Sequence, residues 1–279
     1  FIGIASDSFE QAFLTGLPNR IYGIMTNTTL LAVPLFIFMG ITLEKSRIAE
    51  DLLENLSNLF WRFKGSLGIA VTMIGMLLAA STGIVGATVV TMGLLALPTM
   101  LNKGYSAEIS TGTICAAGTL GQIIPPSIVL VMLGDVISSS YQYAQLTQGN
   151  FAPRTVSVGD LFAGALIPGI CLVLFYLLYI SLIGIFKPNM VPPEPVQKPG
   201  SQNIKKMLTS LFAPLFLIFS VLGSILFGFA TPTEAAGIGA SGALLISSMK
   251  GTLTYFKLTE VMFAALLLSK IFSMFFFIS

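Results

Sequence analysis

Ser81-Thr82-Gly83-Ile84-Val85-Gly86-Ala87-Thr88 and Gly118-Thr119-Leu120-Gly121-Gln122-Ile123-Ile124-Pro125-Pro126-Ser127 interrupt the long apolar stretch between residues 66 and 136. A helix broken at membrane depth exposes backbone N–H and C=O groups that lipid cannot satisfy. It persists only where protein, water or ions replace the lost hydrogen bonds. Secondary transporters build their ion and substrate sites from such breaks. The two interruptions therefore point to transport.

The rest of the composition agrees. The chain has 279 residues, 54% hydrophobic and 9% charged, with no His. Soluble domains carry about 25% charged residues, so a water-facing surface of ordinary size cannot be made here. Apolar runs at 21–43, 66–101, 107–136, 159–186, 210–229, 231–249 and 260–279 predict an all-α, polytopic membrane protein. Because the runs recur along the whole length, a secretory signal does not explain them. Cys115 and Cys171 have neither metal nor disulfide spacing and read as small packing residues. The net charge of +2 says little about partners, and no nucleic-acid partner is expected. A start at Phe1 and an end inside the run Phe275-Phe276-Phe277-Ile278-Ser279 are expected of a fragment.

Charge sets the expected orientation. Of the 14 Lys and Arg, Lys45, Arg47, Arg62, Lys64, Lys103, Lys187, Lys198, Lys205, Lys206, Lys250 and Lys257 fall in loops of one side. Arg20 and Arg154 fall on the other, and Lys270 lies within the last run. The positive-inside rule places the first set in the cytoplasm. The run 66–101 is broken at its middle into arms of about 15 residues, short of the ~20 a spanning helix needs. A re-entrant hairpin is predicted there. Residues 44–64 alternate charges with Ile48, Leu52, Leu53, Leu56, Leu59, Phe60 and Trp61, the pattern of an amphipathic interfacial arm. Residues 187–208, rich in Pro and Gly at their start, read as a cytoplasmic linker.

At the first break Ser81, Thr82 and Thr88 supply hydroxyls, while Gly83, Gly86 and Ala87 leave the backbone approachable. The carbonyl end of one half-helix favours a cation and the N–H end of the other favours an anion. A packing seam of small residues has the same composition, and both readings stay open at this point. At the second break Pro125 and Pro126 remove two backbone donors and free carbonyls near Gly121 and Gln122. Gly118 and Gly121 permit the unwinding that brings those oxygens towards the Thr119 hydroxyl. A simple kink requires less. Thr231-Pro232-Thr233-Glu234 and Ser157-Val158-Gly159-Asp160 read as helix caps. Lys270, a cation inside a span, is a functional candidate by default, with snorkelling or pairing to a neighbouring subunit favoured. With no His and Asp135 as the acid beside the breaks, no acid–base pair or metal site assembles. No G-x-x-x-x-G-K-[ST] loop is present, so direct ATP use is not expected. An enzyme is therefore not predicted.

Thr82 to Thr88, Leu101-Asn102-Lys103-Gly104-Tyr105, Gly118 to Ser127, Val158-Gly159-Asp160-Leu161-Phe162 and Thr231-Pro232-Thr233-Glu234-Ala235-Ala236 occur in one order. Together they resemble the large membrane subunit (DctM-like) of tripartite ATP-independent periplasmic (TRAP) transporters, over essentially the whole chain. The resemblance implies an inverted-repeat, elevator-type secondary transporter of the bacterial inner membrane. It implies sodium as coupling ion, no other cofactor, and import of a small organic acid anion. A periplasmic substrate-binding protein and a small membrane subunit are the implied partners. It places sodium at Ser81, Thr82 and Gly83 on the hairpin tip and at Gly118, Thr119 and Gly121 on the unwound helix. Substrate is expected at Thr82, Thr88, Pro126 and Ser127. Many members carry Ser-Gly-Ser-Ser at the tip; here Thr82-Gly83-Ile84-Val85 resembles a subgroup labelled mannitol or chloroaromatic, and ligation shifts to backbone oxygens. Residues 1–186 are expected to form the first repeat, with a scaffold helix at 21–43, and 209–279 the start of the second. The mirror hairpin is expected beyond Ser279, so this chain alone is not expected to transport. The alternative is a stand-alone sodium-coupled anion transporter or exchanger of similar broken-helix design.

Overall fold

Asn27 precedes the first long helix among the described residues. Its side-chain oxygen accepts the N–H groups of Thr29 at 3.0 Å and Leu30 at 3.4 Å. Such an Asx turn competes with helical bonding. Residues 28–31 are turns that separate the helical residues Tyr22 and Gly23 from α1 (Ala32–Lys45), so the apolar run 21–43 is not one continuous helix.

The computed structural model describes residues 26–46, 64–192 and 201–278, together with positions 18, 19, 22, 23, 53, 56, 57 and 60. Side chains at 81, 82, 201–211 and 271–278 are not described. Among the described residues the chain is helical, with no β-strand. After α1 come α2 (Ser66–Thr82), α3 (Val85–Asn102), α4 (Ala107–Thr119) with a 3-10 turn (Leu120–Gln122), and α5 (Ile128–Thr147). Then follow α6 (Val158–Phe186), α7 (Ser201–Leu226), α8 (Pro232–Met249) and α9 (Tyr255–Ile278).

Two expectations change, and a third falls mostly outside the described residues. The helix α7 starts at Ser201, inside the segment read as linker, because no Gly or Pro stands between Ser201 and Pro214. Most of the arm 44–64 lies outside the described residues, though Leu53 and Leu56 within it are buried. Cys115 and Cys171 are exposed on helix surfaces rather than packed in the core.

The caps form as their sequences suggest. Glu234 accepts the Thr231 N–H at 2.8 Å while Thr231 Oγ1 accepts the Glu234 N–H at 3.3 Å. Asp160 accepts the Ser157 N–H at 3.3 Å, and Ser157 Oγ accepts from Gly159 at 3.1 Å. Each pairing satisfies donors that a helix start leaves open.

α1 lies between two groups of helices, packing on α8 and α9 and also on α2 and α5. Ala235, Ala236, Gly239, Ala240 and Ala243 are the buried small residues of α8. A Cβ on Gly239 would fall 2.5 Å from the Met39 sulfur. Small residues thus set the approach of α1 to α8, as in other membrane helix pairs.

Lys64, Lys103 and Lys187 mark one end of the bundle. A Cβ on Gly184 would lie 2.9 Å from the Lys64 carbonyl, and the Ser106 N–H reaches Met190 O at 2.9 Å. The start of α2, the end of α3 and the end of α6 therefore share this lysine end. At the far end Gly134 approaches Val158, and Gly159 approaches Ile225. There Asn27 also donates to Asp135 at 2.9 Å, and Thr233 to Thr28 O at 2.6 Å.

Between the two ends, Gly169 of α6 packs on Ile124 and Gly83 packs on Ile128. The turn between α2 and α3 thus stops about three helical turns short of the far end of α6. The two arms have 17 and 18 residues, longer than the sequence suggested. Their position against α6, rather than their length, shows that the turn is internal.

Leu174, Phe175, Leu178, Leu182 and Ile185 of α6 and Phe212, Phe216 and Phe219 of α7 are exposed. A soluble monomer rarely shows apolar surface of that extent. α3 and α6 are long and apolar enough to cross a membrane. The outer surface suits lipid.

Candidate functional site

Gly83 closes α2 in the left-handed region, φ 62°, with its N–H on Ala79 O at 2.9 Å. That conformation strains any side chain. There is also no room for one, since a Cβ would lie 2.9 Å from Ile128 Cγ1. Ile84 is extended, and α3 then starts with no side-chain cap. The N–H groups of Val85, Gly86 and Ala87 precede its first helical bond, from Thr88 N to Ile84 O at 3.2 Å.

The second break lies directly against the first. A Cβ on Gly121 would fall 2.2 Å from the Ala79 carbonyl oxygen, and one on Gly118 would fall 2.4 Å from Val89 Cγ2. α4 therefore meets α2 backbone to backbone, with α3 beside it. Leu120 O accepts from both Ile123 and Ile124, at 3.0 and 2.9 Å. Pro125 and Pro126 cannot donate to Gly121 and Gln122 as continuing helix residues would. Ser127, fully buried, replaces one of those bonds by donating from Oγ to Gln122 O at 2.8 Å. The same oxygen caps α5 by accepting from Leu130 at 3.3 Å. The peptide between Pro125 and Pro126 is cis.

Two helix C-terminal ends (α2 and α4) and two N-terminal ends (α3 and α5) thus converge at one junction, buried at Gly83, Gly121 and Ser127 and exposed at Gly86, Thr119 and Gln122. Carbonyl ends carry partial negative charge and N–H ends partial positive charge. Such a junction can hold a small cation on one side and an anionic group on the other without any ionised side chain.

The predicted residues divide by position. Gly83, Gly118 and Gly121 are buried at the junction itself and act through backbone approach. Ser81 and Thr82 form the last backbone turn of α2; their side chains lie outside the described residues. Thr119 is exposed and its hydroxyl donates to Ala116 O at 2.8 Å. Thr88 is buried and donates to Ile84 O at 3.0 Å. Pro126 and Ser127 are buried in the wall beneath the tip.

Sequence reasoning missed Ala79, Val89 and Ile128, against which the three glycines close. An ordinary apolar residue gives no signal for such a role. It also missed two polar ties at the ends of α1: Asn27 to Asp135, and Thr91 Oγ1 to Glu44. The polar run Asn27-Thr28-Thr29 inside apolar sequence was the available hint. A groove of about 460 Å³ lies elsewhere, lined by Glu108, Gly112, Thr113, Phe175, Tyr176 and Tyr179 among others. It does not include the junction.

Comparison with known proteins gives this junction its context. Residues 7–278 match the family model described as "Tripartite ATP-independent periplasmic transporter, DctM component". The chain belongs to the DctM family. Among relatives of this DctM chain, the C4-dicarboxylate TRAP transporter large permease protein DctM of Vibrio cholerae is 33% identical over 220 residues, which are 79% of this chain and 44% of that protein. The corresponding protein of Pseudomonas aeruginosa is 31% identical over 232 residues, 83% of this chain and 49% of that one. The sialic acid TRAP transporter large permease protein SiaM of Vibrio cholerae is 29% identical over 243 residues, 86% and 51%. The DctM chain spans about half the length of the curated relatives it matches. These relatives are transporter permeases, not enzymes.

Proposed function

We propose that the chain is part of the large permease of a binding-protein-dependent secondary transporter in the bacterial inner membrane, and that its junction is one half of a sodium-coupled site for a small organic acid anion. The observation that carries the reading is the meeting of two helix breaks, Gly83 on Ile128 and Gly121 on Ala79, where four helix ends come together.

The C-terminal carbonyls of α2, the Gly121 carbonyl and the Thr119 segment supply neutral oxygens for sodium. The open N–H groups at the start of α3 supply donors for a carboxylate. Among the relatives' names, C4-dicarboxylate, sialic acid and isethionate are anionic and support the substrate class, while ectoine is a carboxylate-bearing zwitterion. In this reading the lysine end faces the cytoplasm, α2 and α3 form a re-entrant hairpin, and α2 to α6 move as an elevator against α1 and α7 to α9. Its partners are a soluble periplasmic substrate-binding protein and a small membrane subunit. The second half of the site belongs to the second repeat.

The test uses the full-length permease with its small subunit in proteoliposomes, supplied with substrate-loaded binding protein. Uptake should follow an inward sodium gradient and stop when potassium replaces sodium. Equal uptake in both salts would remove sodium from the mechanism.

A further inference from the structure

α5 begins at the junction and does not stop where its neighbours do. The far end of the bundle is set by Gly134 on Val158, Asp135 on Asn27, and Gly159 beside Ile225. α5 continues beyond that level to Thr147. The excess, residues 136–147, corresponds to about 18 Å of helix.

A folded return caps this projection. Gln145 Oε1 accepts from Arg154 N at 2.9 Å and from Asn150 Nδ2 at 3.1 Å, and its Nε2 donates to Arg154 O at 3.2 Å. The Asn150 N–H also reaches Gln145 O at 3.0 Å. One side chain thus clamps the loop onto the last turn of the helix, with Phe151 at the tip.

No charged residue occurs between Asp135 and Arg154. Tyr143 is 71% exposed and Phe151 89% exposed. Headgroups extend only about 5–8 Å beyond the hydrocarbon on each side, less than the ~18 Å by which the helix outruns its neighbours. Ser138, Ser139, Ser140, Gln142 and Gln148 make it unsuited to lipid in any case. Exposed aromatics and the exclusion of charges are two features shared with the core of a protein interface. The projection has fewer residues than the ~20–30 a side of a stable interface, which suits an encounter that must release after each delivery.

We propose that residues 136–154 form a mast on which the soluble substrate-binding protein docks transiently, with Phe151 and Tyr143 as anchors. This rests on the binding-protein-dependent reading above. It adds the surface, and the fact that one uninterrupted helix joins that surface to the junction.

The experiment titrates binding protein encoded beside the gene against the reconstituted full-length permease and small subunit. Phe151→Ser and Tyr143→Ser should each raise the half-saturating concentration of binding protein about tenfold or more and leave the maximal rate intact. An unshifted half-saturation overturns the mast, whether the maximal rate is kept or lost. As a second readout, benzoylphenylalanine in place of Phe151 should photo-cross-link to the binding protein. Adducts only with lipid or with a second permease overturn the proposal. Wild-type uptake that needs no binding protein overturns the parent reading instead, and is distinguished by that control alone.

Discussion

Gly121 and Gly86 are both glycines beside a helix break, and the structure gives them opposite constraints. A Cβ on Gly121 would lie 2.2 Å from a backbone oxygen of α2, which cannot swing aside as a side chain can. Nothing lies within 4 Å of one on Gly86. Gly121→Ala should therefore cost about 1–3 kcal/mol, the usual penalty for overpacking. Gly86→Ala should leave stability unchanged, because its position at the start of α3 is helical and open. Thermal unfolding of the two variants of the full-length protein in detergent separates them. A Gly121→Ala protein as stable as wild type would mean that α2 and α4 are not in backbone contact. Ser127 shows a different economy at the same scale: one hydroxyl both satisfies Gln122 O and caps α5.

At the scale of elements, α1 is tied to the broken-helix group at both ends. Asn27, just before it, donates to Asp135 of α5 at 2.9 Å, and Glu44 at its other end accepts from Thr91 of α3. The far face of the helix is closed onto α8 by small residues, and Lys45 pairs with Glu260 of α9 at 3.6 Å, an exposed pair worth little. If α2 to α6 travel against α1, both polar ties must break on every cycle. Joining the Asn27→Cys and Asp135→Cys positions with a short bis-maleimide, with Cys115 and Cys171 replaced by Ala, should then stop uptake. The two single-cysteine variants treated identically should keep it. Undiminished uptake in the cross-linked protein would show that these helices do not move apart.

For the whole molecule, the shared end of Lys64, Lys103 and Lys187 gives the positive-inside rule a structural address. The mast lies at the opposite end. In cells, a membrane-impermeant maleimide added from the periplasmic side should label Phe151→Cys and not Lys103→Cys, in the background lacking the two native cysteines. Labelling of the Lys103→Cys variant instead would reverse the orientation and move the mast into the cytoplasm. Phe151 then could not meet a periplasmic protein.

The sequence by itself determined that this protein is helical, apolar and broken at two places, because composition and helix-breaking residues act locally. Adjacent Pro125 and Pro126 remove two successive helical donors, whereas the lone Pro98, Pro168 and Pro214 lie inside helices, and Thr231 with Glu234 forms its cap within one turn. Those features were legible, as was the family. Other features depend on distant parts of the chain. That Gly121 rests on Ala79, that Gly83 rests on Ile128, and that the hairpin turn stops short of the far end of α6 are contacts across separate helices. Two helix limits differ from the apolar runs for the same reason. The Asx turn at Asn27 is short-range but is stabilised beside Asp135, and α5 outruns its apolar segment because its polar half leaves the bundle. Only the tertiary structure decided which glycines are obligatory, which hydroxyls are already occupied, and which helix reaches beyond the rest.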